Sequence, residues 1–239
     1  MGGVSARRLR KVPAVVLPRA PEPQRLLAAI RLFDPEAAPV DGGIAFGAGV
    51  RLAGPHPVTP DLAAKSNLPQ GLAFVASDSG PFQNWLARGL ARRFGGYAHL
   101  PQEFVADDPT EVVVVHTPRK VSPGELAARI SAFIPGLVPD GPAEKDGSSF
   151  LTTPHMPINI RCDGPEVPSL RWLLPLALGP MRREPGLHGY RFGIAGQRDP
   201  RFVRLAATAA LELAQGVGGV TTDLDRFRVF EPGDPGLYR

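Results

Sequence analysis

The sequence predicts an α+β chain of two tandem ferredoxin-like (βαββαβ) units related by internal duplication, each an antiparallel sheet with helices on one face. Three observations predict it. Residues 15–35, VVLPRAPEPQRLLAAIRLFDP, return without a gap at an offset of 100 as VHTPRKVSPGELAARISAFIP. Val15, Pro18, Arg19, Pro23, Leu26, Ala28, Ile30, Phe33 and Pro35 keep their identity in the second copy. Further on, each half runs a strand-like segment into an apolar-striped helix that stops at a glycine pair, Gly95–Gly96 or Gly218–Gly219. Finally, the order of periodic segments is the same in both halves.

In the first half, residues 12–17 form a short apolar run of strand type. Pro23 opens a helix over 23–33, where Leu26, Ile30 and Phe33 recur at helical spacing. Residues 44–52 alternate, placing Ile44, Phe46, Ala48, Val50 and Leu52 on one face of a strand. Residues 71–77 form the next strand. Pro81 opens a second helix striped by Phe82, Leu86, Leu90 and Phe94, which the Gly pair caps. Residues 97–100 close the unit.

The second half repeats this with strands at 111–117 and 189–195 and a strand over 150–162 broken near Pro154 and Pro157. Helices fall at 123–133, capped by Ser122, and at 200–217 with Phe202, Leu205, Ala209 and Leu213 inward. A last strand runs over 220–229. The expected divisions are a basic N-terminal tail (1–11), a first unit (12–108) and a second unit (109–239) with an insertion at 163–188 holding a short helix at 169–178. The Pro/Gly clusters at 54–60, 135–147, 163–168 and 231–236 read as loops.

The chain carries a formal charge of +4. Part of it lies in Arg7, Arg8, Arg10 and Lys11, which read as a solvated tail, too small a patch for nucleic acid or a membrane surface. Cys162 is the single cysteine, so no internal disulfide or thiolate metal cluster forms. The most apolar stretch, 170–181, is too short to span a bilayer and contains Arg171 and Pro175. These features point to a cytoplasmic protein without a membrane partner, and the Ala, Arg, Gly and Pro richness to a bacterial source.

No catalytic signature and no metal or cofactor fingerprint emerges. The five histidines have no ligand spacing. Gly47-Ala48-Gly49 lacks the third glycine of a dinucleotide loop, and Ser77-Asp78-Ser79-Gly80 lacks the first glycine of a nucleophile elbow. Asp223 and Asp225 form an Asp-x-Asp that reads as a turn or strand end.

Residues 70–75 (QGLAFV) and 188–193 (HGYRFG) resemble the aromatic strand of RNA-recognition modules, in which exposed rings stack on bases. That orientation would point Arg191 under the helices as an unpaired charge. The opposite one buries Tyr190, Phe192 and Ile194. By the same alternation Ile158, Ile160 and Cys162 face inward, and Asn159, Arg161 and Arg191 share the outer face. Arg51 occupies the matching strand of the first half beside the small residues Ala45, Gly47 and Gly49. Arg19 and Arg119 follow the first strand of each copy, where a loop arginine can meet an anion at a helix N-terminus.

The expected function is therefore a non-enzymatic protein-binding module of immunity, secretion-accessory or regulatory type. It would use an open sheet face or the cleft between the repeats to hold another protein, acidic in character, with no cofactor. The candidate binding residues are Arg161, Arg191, Asn159, Arg51, Arg19 and Arg119. The alternative is RNA binding or processing, since the architecture is similar to that of CRISPR RNA endonucleases. A third reading is an enzyme with its pocket between the repeats, as in tandem ferredoxin-like haem proteins.

Overall fold

A computed structural model describes residues 4–47, 49–101, 108, 110–142, 148–166 and 187–238. The helix expected at 169–178 and most of the 163–188 insertion lie outside them. The chain forms two compact units. The first comprises residues 1–105 together with 225–227, and the second comprises 106–224 and 228–239.

The first unit contains α1 (Ala6–Leu9), β1 (Ala14–Leu17), α2 (Pro23–Phe33), β2 (Ala38–Val40), β3 (Gly43–Phe46), β4 (Val50–Val58), α3 (Pro60–Ser66), β5 (Gly71–Ala76), α4 (Pro81–Phe94) and β6 (Tyr97–His99). The second contains β7 (Glu111–Thr117), α5 (Pro123–Ile130), β8 (Val138–Pro139), β9 (Ser149–Thr152), β10 (Ile158–Glu166), β11 (Leu187–Ile194), α6 (Pro200–Val217) and β12 (Val220–Asp223). The molecule is thus α+β, with two antiparallel six-stranded sheets and six α-helices among the described residues. The sheets run β2-β3-β4-β5-β1-β6 and β8-β9-β10-β11-β7-β12. Numbered afresh within each unit, both orders read 2-3-4-5-1-6.

Local chemistry accounts for the helix boundaries. Helices α2 to α6 all begin on proline, whose missing N–H costs nothing in the first turn. Thr59, Ser122 and Asp199 accept a backbone N–H at the starts of α3, α5 and α6. Gly95 and Gly218 end α4 and α6 at φ values of 66° and 67°, the left-handed conformation that a side chain disfavours. The expected stripe Leu26, Ile30 and Phe33 is buried on α2. Helix α5 ends early, so Phe133 sits in the following turn and only partly packs on the core.

Several expectations need correction, among them the last strand, which ends at Asp223 rather than 229, and the loops at 135–147 and 163–168, which hold β8 and the end of β10. The single strand over 44–52 is a hairpin: β3 and β4 pair across a turn in which Gly47 and Gly49 have positive φ, and Ala48 lies outside the described residues. Residues 54–58, read as loop, continue β4 past a bulge between Ala53 and His56. Residues 6–9 are helix rather than tail, and Leu9 is fully buried. Lastly, the first sheet is not covered on one face only. Val15, Leu17, Phe74 and Ala76 lie on one face, where α4 packs on β1. Ala14, Val16, Ala73 and Val75 on the other cluster with Leu9, Val58, Leu62 and Leu68 of the α1–α3 side.

In the second unit, Val113, Val115, Ile160, Tyr190, Phe192 and Ile194 pack with Leu126, Ile130, Val203, Ala206, Ala207, Ala210 and Leu213 of α5 and α6. Alanines carry most of the buried face of α6, whereas Phe202 and Leu205, expected inward, are half-buried. No described helix is long and apolar enough to cross a membrane.

Candidate functional site

The inferred strand orientation places the outer-face residues in register. Arg161 of β10 lies directly opposite Arg191 of β11, and Asn159 lies opposite Gly193. On the other face, Ile160 pairs with Phe192 and Cys162 with Tyr190. Tyr190 and Phe192 are buried. They are core residues, not a stacking platform.

The two arginines do not form an open basic face. Arg161 Nε lies 2.8 Å from Asp163 Oδ1. Arg191 bonds the other Asp163 oxygen through Nε and reaches Glu111 Oε2 through Nη1 at 3.1 Å. Arg161 also lies 5.9 Å from the centre of the Phe150 ring. Its side chain is 43% exposed, against 16% for Arg191, so only Arg161 meets solvent appreciably. Val114 and Thr222, on the same face as Arg191, are buried. Each guanidinium therefore already has a carboxylate, which removes most of the attraction for an acidic partner. The sequence signal for this lay in Asp163, two residues from Arg161 and thus on its face.

The other candidates fall elsewhere. Arg119 makes a two-pronged contact with Glu125, at 2.9 and 2.6 Å, and Arg129 joins the same carboxylate at 3.1 Å. The Arg119 bond, ahead of the one from Arg129, holds the Glu125 carboxyl at about 2. An anion expected at the start of α5 is thus a side chain of α5 itself. Arg19 is exposed in the bend after β1. Arg51 donates its backbone N–H to Ser77 Oγ at the far end of β5. The structure does not bring Arg19 and Arg51 together.

Among the remaining reactive groups, burial pushes the Cys162 thiol up to about 11, which suppresses the thiolate. Asp225 is fully buried and paired with Arg88 and Arg92. Among the described residues no group of His, Cys, Asp or Glu is arranged to hold a metal ion.

The site that sequence reading missed is a cavity of about 390 Å³ in the first unit. Ala20 and Pro21 of the β1–α2 loop and Pro23, Gln24, Leu26 and Leu27 of α2 form one wall. Pro39 of β2, Gly43 and Ile44 of β3, Leu52, Gly54 and Pro55 of β4 and Phe74 of β5 form the other. None of these residues is ionisable, and Gln24 has the one polar side chain. Four prolines leave four wall positions without an N–H donor. The volume falls within the roughly 300–1,000 Å³ of small-molecule sites. Its four prolines are scattered over a loop, a helix start and two strands, so no local pattern in the sequence marks it. No known protein family, curated protein or solved structure matches the chain.

Proposed function

We propose that this chain is a non-enzymatic binding protein built from two duplicated ferredoxin-like units, and that the first unit carries the binding site. The cavity beside α2 is the observation that carries this reading. Its wall offers apolar contact and no acid, base or nucleophile, which suits retention of a ligand rather than its conversion. Proline-rich walls lose little freedom when a ligand settles between them. The self-neutralised arginines favour this site over the outer face of the second sheet. The inward rings of Tyr190 and Phe192 weigh against RNA binding, which would need them exposed. A single, partly buried cysteine accords with a reducing cytoplasm.

A melting-temperature screen of the intact chain against a chemically mixed set of small molecules tests the reading. Compounds that bind the folded state raise the melting temperature with concentration. Leu27→Trp, which fills the cavity from the surface of α2, should abolish the rise while leaving the unliganded melt nearly unchanged. A variant that responds as fully as the wild-type chain would place binding elsewhere.

A further inference from the structure

The two units treat the same place in their sheets differently. Phe74 of β5 lies opposite Val15 of β1, and Tyr190 of β11 lies opposite Val115 of β7. Val15 and Val115 are counterparts in the sequence repeat, so Phe74 and Tyr190 occupy matching sites. In the second unit the Tyr190 hydroxyl accepts the Val121 N–H at 2.5 Å and donates to the Val121 carbonyl at 3.1 Å. This ties the loop before α5 down onto the sheet, and Val121 is buried. In the first unit both halves of the tie are missing. Phe74 has no hydroxyl, and Pro21, the counterpart of Val121, has no N–H. Both residues line the cavity.

We infer that the first unit keeps open, as a site for a neutral, largely apolar small molecule, the space that the second unit closes with Tyr190. This rests on the binding reading above and specifies its ligand. The wall dictates the class. A charged ligand would shed its hydration against Leu26, Leu27, Ile44, Leu52 and Phe74 without gaining a counter-charge. The Gln24 amide can donate a hydrogen bond to orient a polar group. A peptide is a poorer occupant. The adjoining edge strand β2 carries Pro39 at its centre, and proline interrupts the ladder by which an added strand would pair.

Two fluorescent probes that share an aryl-naphthylamine framework and differ in charge test this on the intact chain. These are neutral N-phenyl-1-naphthylamine and the anionic 8-anilino-1-naphthalenesulfonate. The neutral dye should saturate one site per chain, with the sulfonate weaker by at least about tenfold. Installing the second unit's tie in the first, Pro21→Val with Phe74→Tyr, should weaken the neutral dye by a similar factor. Circular dichroism confirms that the variant folds, and Leu27→Trp serves as the independent block should it not. Equal affinity for the two dyes overturns the ligand class while leaving a binding cavity standing. Failure of the neutral dye to bind saturably, or binding that neither variant disturbs, overturns the assignment of the site.

Discussion

At the scale of single residues, a hydroxyl decides how a loop meets its sheet. Tyr190 satisfies both the N–H and the carbonyl of buried Val121. Tyr190→Phe removes both bonds and leaves two buried backbone groups unpaired, so urea unfolding should show a loss of about 1–3 kcal/mol. A loss near zero would mean that the loop finds other partners. Glu125 offers a titration test. Its carboxyl, held at about 2 chiefly by Arg119, is depressed from 4.5. A lowered folded-state value stabilises the fold above the unfolded carboxylate range, and that contribution disappears as pH falls from about 4.5 through about 2. Carboxyl NMR should give a midpoint near the lower value, and Arg119→Ala should move it back toward the upper one. An unshifted midpoint in the wild-type chain would dissolve the Arg119–Glu125–Arg129 cluster.

At the scale of elements, the placement of α2, α4, α5 and α6 was legible because its signals are local. The proline that starts each of these four, the Ser122 cap and the glycine at each long-helix end all lie within a turn of the boundary they set. Helix α1 reads as tail in the sequence, and α3 goes unread because Pro60 falls in a cluster assigned to a loop. The β3–β4 hairpin was not legible, for a physical reason. Ile44 pairs with Leu52 and Phe46 with Val50. These pairs are even numbers of residues apart, so strict alternation survives a tight turn and looks like one strand. The cavity was hidden for a different reason: its wall comes from separate elements, and the feature that opens it is a comparison between Phe74 and Tyr190. The repeat itself misleads at Phe133. Equal helices would make Phe33 and Phe133 equally costly to truncate. Instead Phe33 is fully buried within α2, while Phe133 follows the end of α5 and is half-buried. Phe33→Ala should cost about 3–5 kcal/mol and Phe133→Ala clearly less. Equal losses in chemical denaturation would show the second helix continuing to Phe133.

At the scale of the whole molecule, the first unit is not contiguous in sequence. It includes residues 225–227, which alternation along the chain assigns to a final strand over 220–229. Each of the three residues has a dedicated setting. Asp225 is fully buried between Arg88 and Arg92. Arg226, at φ 67°, lies over the Trp85 ring at 5.3 Å. Phe227 is fully buried 5.2 Å from Phe33, and its ring presses so closely on α4 that a side chain at Gly89 would overlap it. Asp225→Ala takes a fully buried carboxylate away from the Arg88 and Arg92 guanidinium groups and in the intact chain should cost about 3–5 kcal/mol. A stronger test uses a fragment of residues 1–101, which keeps the settings and lacks their occupants. It should melt well below the intact chain and expose the apolar notch at Gly89. A synthetic peptide spanning 221–231 should then raise the fragment's melting temperature with concentration, as expected for a ligand of the folded state. Arg88→Ala with Arg92→Ala in the fragment should abolish that rise by removing the partners of Asp225. A fragment that melts like the intact chain and ignores the peptide would show that residues 225–227 are dispensable to the first unit.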